Sequence, residues 1–177
     1  MREALTLLAL GLLALVVESA LLANLPVAFV PSLALLVPIA AALLLPPTAG
    51  LLVAVALGFG ADVLSGSLLG QHAFVRLAEF VLVRVLASQL DLMRPLPFAI
   101  FALGLALFDA AASAGVLRFF LGSFAPSSTE LATVGLRALV SAAAAPLALF
   151  AARTTTAWGS LDEARREMRL DTKRPVL

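Results

Sequence analysis

Seven ionisable side chains stand within otherwise apolar stretches: Glu18, Asp62, Arg76, Glu79, Arg84, Asp109 and Arg137. These are the groups that could do chemistry, and their surroundings decide which chemistry. A charge at the centre of a bilayer costs about 2.5–3.5 kcal/mol on insertion scales, so such groups turn towards a helical interior and pair with one another. His72, Arg76 and Glu79 follow one another at intervals of four and three residues. At the pitch of an α-helix that sets all three within about 60° on one face. Two uses remain open. Paired ions can pin the packing of helices, or they can line a polar cavity, open to one side, that takes a small solute or a partner's polar residue. Enzyme chemistry has no foothold: there is no G-x-x-x-x-G-K-[ST], no H-E-x-x-H and no G-x-S-x-G. One histidine and no cysteine leave no zinc set, and no cofactor is implied.

The elements that must position these groups follow from composition. Of 177 residues, 62% are hydrophobic and 13% charged, with a mean hydropathy of +1.08. A soluble domain is about 45–50% apolar and about 25% charged, so the chain reads as an all-α integral membrane protein. Six spans of about 20 residues would use roughly 120 residues and leave short loops. A net charge of +1 points to neither nucleic acid nor an acidic substrate. The expected spans cover residues 4–22, a short proline-punctuated stretch from Pro31 to the Pro46-Pro47 stop, 50–63, 72–90, 98–121 and 129–152. The first reads as a retained helix rather than a signal peptide, since only Arg2 precedes it and Glu18 sits near its end. Residues 1–152 thus form one transmembrane domain, and 153–177 a short basic tail. Four spans are the fallback if the second and third form a re-entrant pair.

Orientation follows from Lys and Arg. Arg2, Arg94, Arg153, Arg165, Arg166, Arg169, Lys173 and Arg174 fall on one side, against Arg118 alone on the other. Both termini are therefore expected in the cytoplasm. The buried charge then collects in the outer half, with four acids against three bases. Asp109, near the middle of the fifth span, is expected to meet Arg137 on the sixth, about 4 Å away in depth by the helical rise. Otherwise it is protonated and hydrogen-bonded. Arg76 is the competing partner, with Glu79 as its own neighbour. Small residues at intervals of four mark two close helix seams: Gly50, Ala54 and Gly58, continuing to Asp62, and Ala102, Ala106, Ala110 and Ala114. Ser65, Gly66 and Gly70 make the next turn, where Asp62 and Ser65 can cap backbone groups. In the tail, Ser160 with Glu163 has the spacing of a capping box and predicts a separate surface helix, a topology-setting segment or a contact with anionic lipid heads.

The segment Asp62-Val63-Leu64-Ser65-Gly66-Ser67-Leu68-Leu69-Gly70 resembles the D-x-[LI]-x-G-x-x-x-G signature of the rod shape-determining MreD family. Gly58, four residues before the aspartate, fits the same pattern. Pro31-Ser32-Leu33 is similar to the family's P-[DN]-[LW], with Ser32 in place of Asp or Asn. Asp109 and Pro146 match its recurrent acidic residue and proline. The resemblance spans about residues 31–152. It implies a non-catalytic inner-membrane component of the bacterial cell-elongation machinery. Such a component binds an MreC-like single-span protein and, through it, MreB, RodA and a class B penicillin-binding transpeptidase, and so regulates lateral peptidoglycan synthesis. It also implies a six-helix fold similar to the substrate-binding subunits of energy-coupling-factor transporters. That fold supplies the alternative, a small-molecule-binding transporter subunit. Those subunits carry A-x-x-x-A in the first span, whereas here Ala9 is followed by Leu13 and Ala14 by Glu18. A proton-coupled carrier would call for inverted repeats with broken helices, and no repeat is visible.

Overall fold

The computed structural model describes residues 2–66, 69–121 and 127–171, with side chains except at 121 and 158–171. Among these are six helices and no strand: α1 Arg2–Asn24, α2 Leu33–Leu44, α3 Pro47–Ser65, α4 Gln71–Ala87, α5 Pro95–Leu121 and α6 Ser128–Asp171. A 3₁₀ turn, Val27–Phe29, leads into α2. Leu- and Ala-rich runs favour the helix intrinsically, and in lipid the helix is one of two ways to satisfy every backbone group. Punctuation is by proline and glycine. Pro46 caps α3 and Pro47 is its first residue, where a missing N–H costs nothing. Gly66 ends α3 in the left-handed region at φ 62°.

The short α2 is the axis of the bundle, with residues Leu35 to Ala42 all buried. It packs on α1, α3, α4 and α6, and the other helices close around it in the order α1, α3, α4, α5, α6 and back to α1. Side chains such as Leu13, Leu52, Ile100, Leu147 and Phe150 remain exposed on the outer faces, as a bilayer requires. Arg137 on α6 reaches Val30 before α2, and Glu18 on α1 reaches Ala34 on α2. Arg84 on α4 reaches Leu45 after α2, and Arg153 on α6 reaches Met93 before α5. Successive helices therefore run antiparallel between two ends of the bundle. Helices α1, α3 and α5 end, and α2, α4 and α6 begin, at one end, called here the far end. The α2–α3 and α4–α5 connections lie at the other, the tail end.

Among the described residues five segments are long and apolar enough to cross a membrane: Arg2–Asn24, Val27–Leu44, Pro47–Ser65, Pro95–Phe120 and Ser128–Ala157. Helix α4, expected as a sixth such span, has 17 residues and carries Arg76, Glu79 and Arg84. It owes its place to burying two of these charges rather than to its own hydropathy. Several expected boundaries shift. Pro31 precedes the helix instead of opening it, since Ser32 is the cap and Leu33 the first residue of α2. Helix α5 begins at Pro95. Helix α6 continues unbroken to Asp171, so no separate helix starts at Ser160; the side chains of that expected capping box lie outside the described residues. A reciprocal box does occur at the start of α6. The Ser127 amide donates to Glu130 Oε2 (2.7 Å) and the Glu130 amide to Ser127 Oγ (3.3 Å).

Both small-residue seams are present. Gly50, Ala54, Gly58 and Asp62 are all buried along α3. A Cβ added at Gly58 would lie 2.6 Å from Ala73 Cα and 2.9 Å from its nitrogen, so the backbones of α3 and α4 touch there. On α5, Ala102 and Ala106 are buried while Ala110 and Ala114 are half-buried. Gly104, by contrast, has open space around it. Gly58→Ala is therefore expected to destabilise the fold by about 1–3 kcal/mol through overpacking against rigid backbone. Gly104→Ala should be neutral or stabilising by up to about 1 kcal/mol. Thermal unfolding of both variants in one detergent checks the contrast in sign.

Candidate functional site

Three helices, α2, α4 and α6, begin at the far end. Each would expose unpaired backbone N–H groups there. Helix α6 uses its own exposed capping box, but α2 and α4 start among packed helices and are capped from outside. Glu18, reaching across from α1, accepts from the Ala34 amide at 2.7 Å. The Ser32 amide donates to Ser141 Oγ of α6 at 2.9 Å, and that hydroxyl donates to the Arg137 carbonyl at 2.8 Å. Asp62, fully buried near the end of α3, does the same for α4. Its Oδ2 accepts from the Gly70 amide at 2.9 Å and the Ala73 amide at 3.3 Å, and its Oδ1 from the His72 amide at 2.8 Å.

The Asp62–Gly70 segment thereby acquires a physical account. Asp62 caps the next helix. Gly66 and Gly70 both take left-handed backbone, at φ 62° and 94°, which lets the chain reverse within a few residues. Among the described residues, chain neighbours aside, no atom lies within 4 Å of a Cβ built on either glycine, so the left-handed conformation sets the requirement. Ser65 Oγ donates to the Asp62 carbonyl at 3.4 Å. Ser67 and Leu68 of the same signature lie outside the described residues.

Each capping carboxylate is shared with a base. His72 Nδ1 lies 2.9 Å from Asp62 Oδ1. Arg137 donates from Nη2 to Glu18 Oε1 at 2.6 Å and from Nε to the Val30 carbonyl at 3.3 Å. Arg137 therefore belongs to Glu18, not to Asp109 as depth along the helices had suggested. Asp109 instead faces Arg76, with 3.2 Å between Oδ1 and Nη1, and the same Nη1 donates to Glu79 Oε2. The expectation fails because Arg137, although it borders the same cavity as Asp109, turns to α1 and the approach to α2, where Glu18 and the Val30 carbonyl take its donors. The middle of α5 meets the first turns of α4 instead, where Arg76 stands. Arg76 and Glu79 are almost completely buried, and the cluster is incompletely bonded. Arg76 Nε, Glu79 Oε1 and Asp109 Oδ1 are buried without a hydrogen-bond partner.

These groups border a cavity of about 360 Å³ at the far end, to which all six helices contribute. Its lining mixes polar groups, Glu18, Ser65, His72, Arg76, Asp109 and Arg137, with apolar ones such as Leu15, Leu22 and Leu64. Of the residues singled out from sequence, the structure brings Ser65, Arg76, Asp109 and Arg137 to the cavity, with Glu79 and Asp62 directly behind. Gly58, Gly66 and Gly70 shape the α3–α4 hairpin, and Pro31 leads into α2. Pro146 sits within α6, nine residues beyond Arg137, away from the cavity. Glu18 and His72, also read from sequence, line the cavity as well; Ser141 had not been singled out. The readable signal for Glu18 was its charge inside an apolar run; Ser141 stands one turn after Arg137 but gives no signal of its own.

The molecule is thus an all-helical multi-pass membrane protein whose buried charges serve helix ends and border one polar cavity. The chain matches the family described as rod shape-determining protein MreD over residues 2–143, and it belongs to that family. Its role is accordingly in the determination of rod shape. Comparison with curated proteins and with solved structures finds no match.

The pairing makes a direct prediction. Arg137→Ala leaves Glu18 buried without its cation and should cost about 3–5 kcal/mol. In double-mutant cycles, Arg137→Gln should couple to Glu18→Gln, and Arg76→Gln to Asp109→Asn, by about 0.5–3 kcal/mol each. Arg137→Gln and Asp109→Asn should simply add. Unfolding in detergent supplies all the required stabilities.

Proposed function

We propose that the chain is a non-catalytic scaffold and regulator of the cell-elongation machinery in the bacterial inner membrane, where it binds an MreC-like single-span protein. Through that partner it meets MreB, RodA and a class B penicillin-binding transpeptidase and so controls lateral peptidoglycan synthesis. The family match over residues 2–143 carries this reading. The use of the buried acids supports it: Glu18 and Asp62 are committed to helix ends, which suits a rigid body better than a reaction centre.

Orientation belongs to the same proposal. The Arg and Lys asymmetry puts the tail end and both termini in the cytoplasm, and the cavity then faces outwards. A reporter fused after Leu177 should be active only as a cytoplasmic probe; periplasmic activity there would reject this orientation.

Co-purification from solubilised membranes tests the partnership. The expected result is recovery of an MreC-like protein with the full-length chain, together with rounding of a rod-shaped host when the chain is depleted. The cavity favours one second reading, a solute-binding subunit of an energy-coupling-factor-type transporter. Normal rods with a specific vitamin-uptake defect would decide for it. The absence of A-x-x-x-A from α1 weighs against it.

A further inference from the structure

Helix α5 is held to the bundle unevenly. It packs closely on α6, but its seam with α4 is the sparsest in the ring. Apolar cavities of about 550 and 790 Å³ open along that seam. Leu82, Leu86 and Ile100 line the one nearer the tail end, and Phe74, Ala112 and Phe119 the one nearer the far end. Between these two levels stands the cluster of Arg76 and Glu79 on α4 and Asp109 on α5, which supplies an ion pair across the seam.

The charges of the cluster close only if it holds a proton. Arg76 is one cation for two carboxyl groups. The charges around it are already matched: Glu18 of α1 with Arg137 of α6, and Asp62 of α3 with His72 of α4, while α2 carries none. The Glu79 and Asp109 carboxyl groups are in hydrogen-bonding contact with each other. Two carboxylates repel, and neither has a hydrogen to give. Glu79 Oε1 and Asp109 Oδ1 each lack a donor, as two ionised groups must. One proton between them supplies the donor and makes the cluster neutral, with no further group required. Asp109 is 21% exposed and borders the polar cavity, so the proton can exchange with water there.

We propose that Glu79 and Asp109 bind one proton between them and that this proton is the clasp of the α4–α5 seam. Its loss leaves two carboxylates face to face on two helices, where burial and repulsion both favour separation. The apolar cavities along the seam leave α5 room to shift and little packing to hold it. The seam is therefore tight with the proton bound and loosens as pH rises. Under the orientation proposed above, the pH that sets it is that of the outer side. The clasp itself rests neither on that orientation nor on any partner, so each can fail alone.

The test uses the full-length chain in nanodiscs. Infrared spectra of the parent chain at neutral pH should show the C=O stretch of a protonated carboxyl side chain, lost as the pH is raised. Asp109→Asn and Glu79→Gln should each abolish that band, because either change leaves the remaining carboxylate alone with Arg76. Glu18→Gln should retain it. Stability reads the same proton. Carboxyl groups of the unfolded chain are ionised at neutral pH, so the native state holds one proton more. Its unfolding constant should rise about tenfold per pH unit while the pair keeps its proton. Either variant should remove that dependence and leave only what His72 contributes. The chain contains no cysteine, so spin labels at Ala78→Cys and Ala112→Cys report the seam alone. Their separation should grow reversibly as the band is lost, and stay fixed over the same range in Asp109→Asn. Three results would overturn the proposal: no carboxylic acid band at neutral pH, a band that survives either substitution, or a label separation indifferent to its loss.

Discussion

A helix that begins inside a packed, lipid-surrounded bundle presents N–H groups with no carbonyl to meet and little water to replace one. The far end of this molecule is built around that constraint. Glu18 from α1 caps α2, and Asp62 from α3 caps α4. Each acid sits where the partial positive charge of a helix N-terminus favours it. The opposite end follows the opposite sign. Arg84 donates to the Leu45 carbonyl at the end of α2, and Arg153 to the Met93 carbonyl between α4 and α5. Charge inside this chain is therefore sorted by helix polarity: acids serve N-termini and arginines serve carbonyls.

That sorting explains how so apolar a chain holds so many buried ions. A carboxylate shared between backbone amides and a base has its lone pairs occupied, and this offsets much of its desolvation. It also locks helices in pairs. Glu18 joins α1 to α2 and, through Arg137, to α6; Asp62 joins α3 to α4. Helix α2, held by Glu18 and Ser141 at its start and by Arg84 at its end, becomes a fixed axis for the rest. The cluster of Arg76, Glu79 and Asp109 is the exception. Its acids cap no helix end and share the one cation, Arg76.

Much of this was legible in the residues. The Gly50, Ala54, Gly58, Asp62 interval marked the face of α3 that packs, because in lipid close approach depends on small side chains. The glycines after Asp62 marked a turn, and both adopt the left-handed backbone that such a turn uses. The neighbour relation of Arg76 and Glu79 followed from helical spacing alone. What was not legible depended on which neighbour each helix face meets. Asp109 and Arg137 do border one cavity, but Arg137 turns to α1 and the approach to α2 while Asp109 turns to α4. The link between Glu18 and Arg137 requires knowing that α1 and α6 touch, which closure of the ring decides and no local pattern records. The start of α6 illustrates a third limit. Two segments, Ser127 to Glu130 and Ser160 to Glu163, carry the same capping signature. Only the first opens a helix, because the second falls within a helix already under way.

The central claim is that Glu18 and Asp62 are buried to cap the two helices, α2 and α4, that start among packed neighbours at the far end. Hydrogen–deuterium exchange resolved at single amides, comparing the parent chain with Asp62→Asn and Glu18→Gln, tests it most directly. In Asp62→Asn, protection should fall at Gly70, His72 and Ala73 while Ala34 stays protected. In Glu18→Gln, Ala34 should lose protection and the start of α4 should keep it. Unchanged protection at these amides, or a uniform loss across the whole bundle in both variants, would contradict the account.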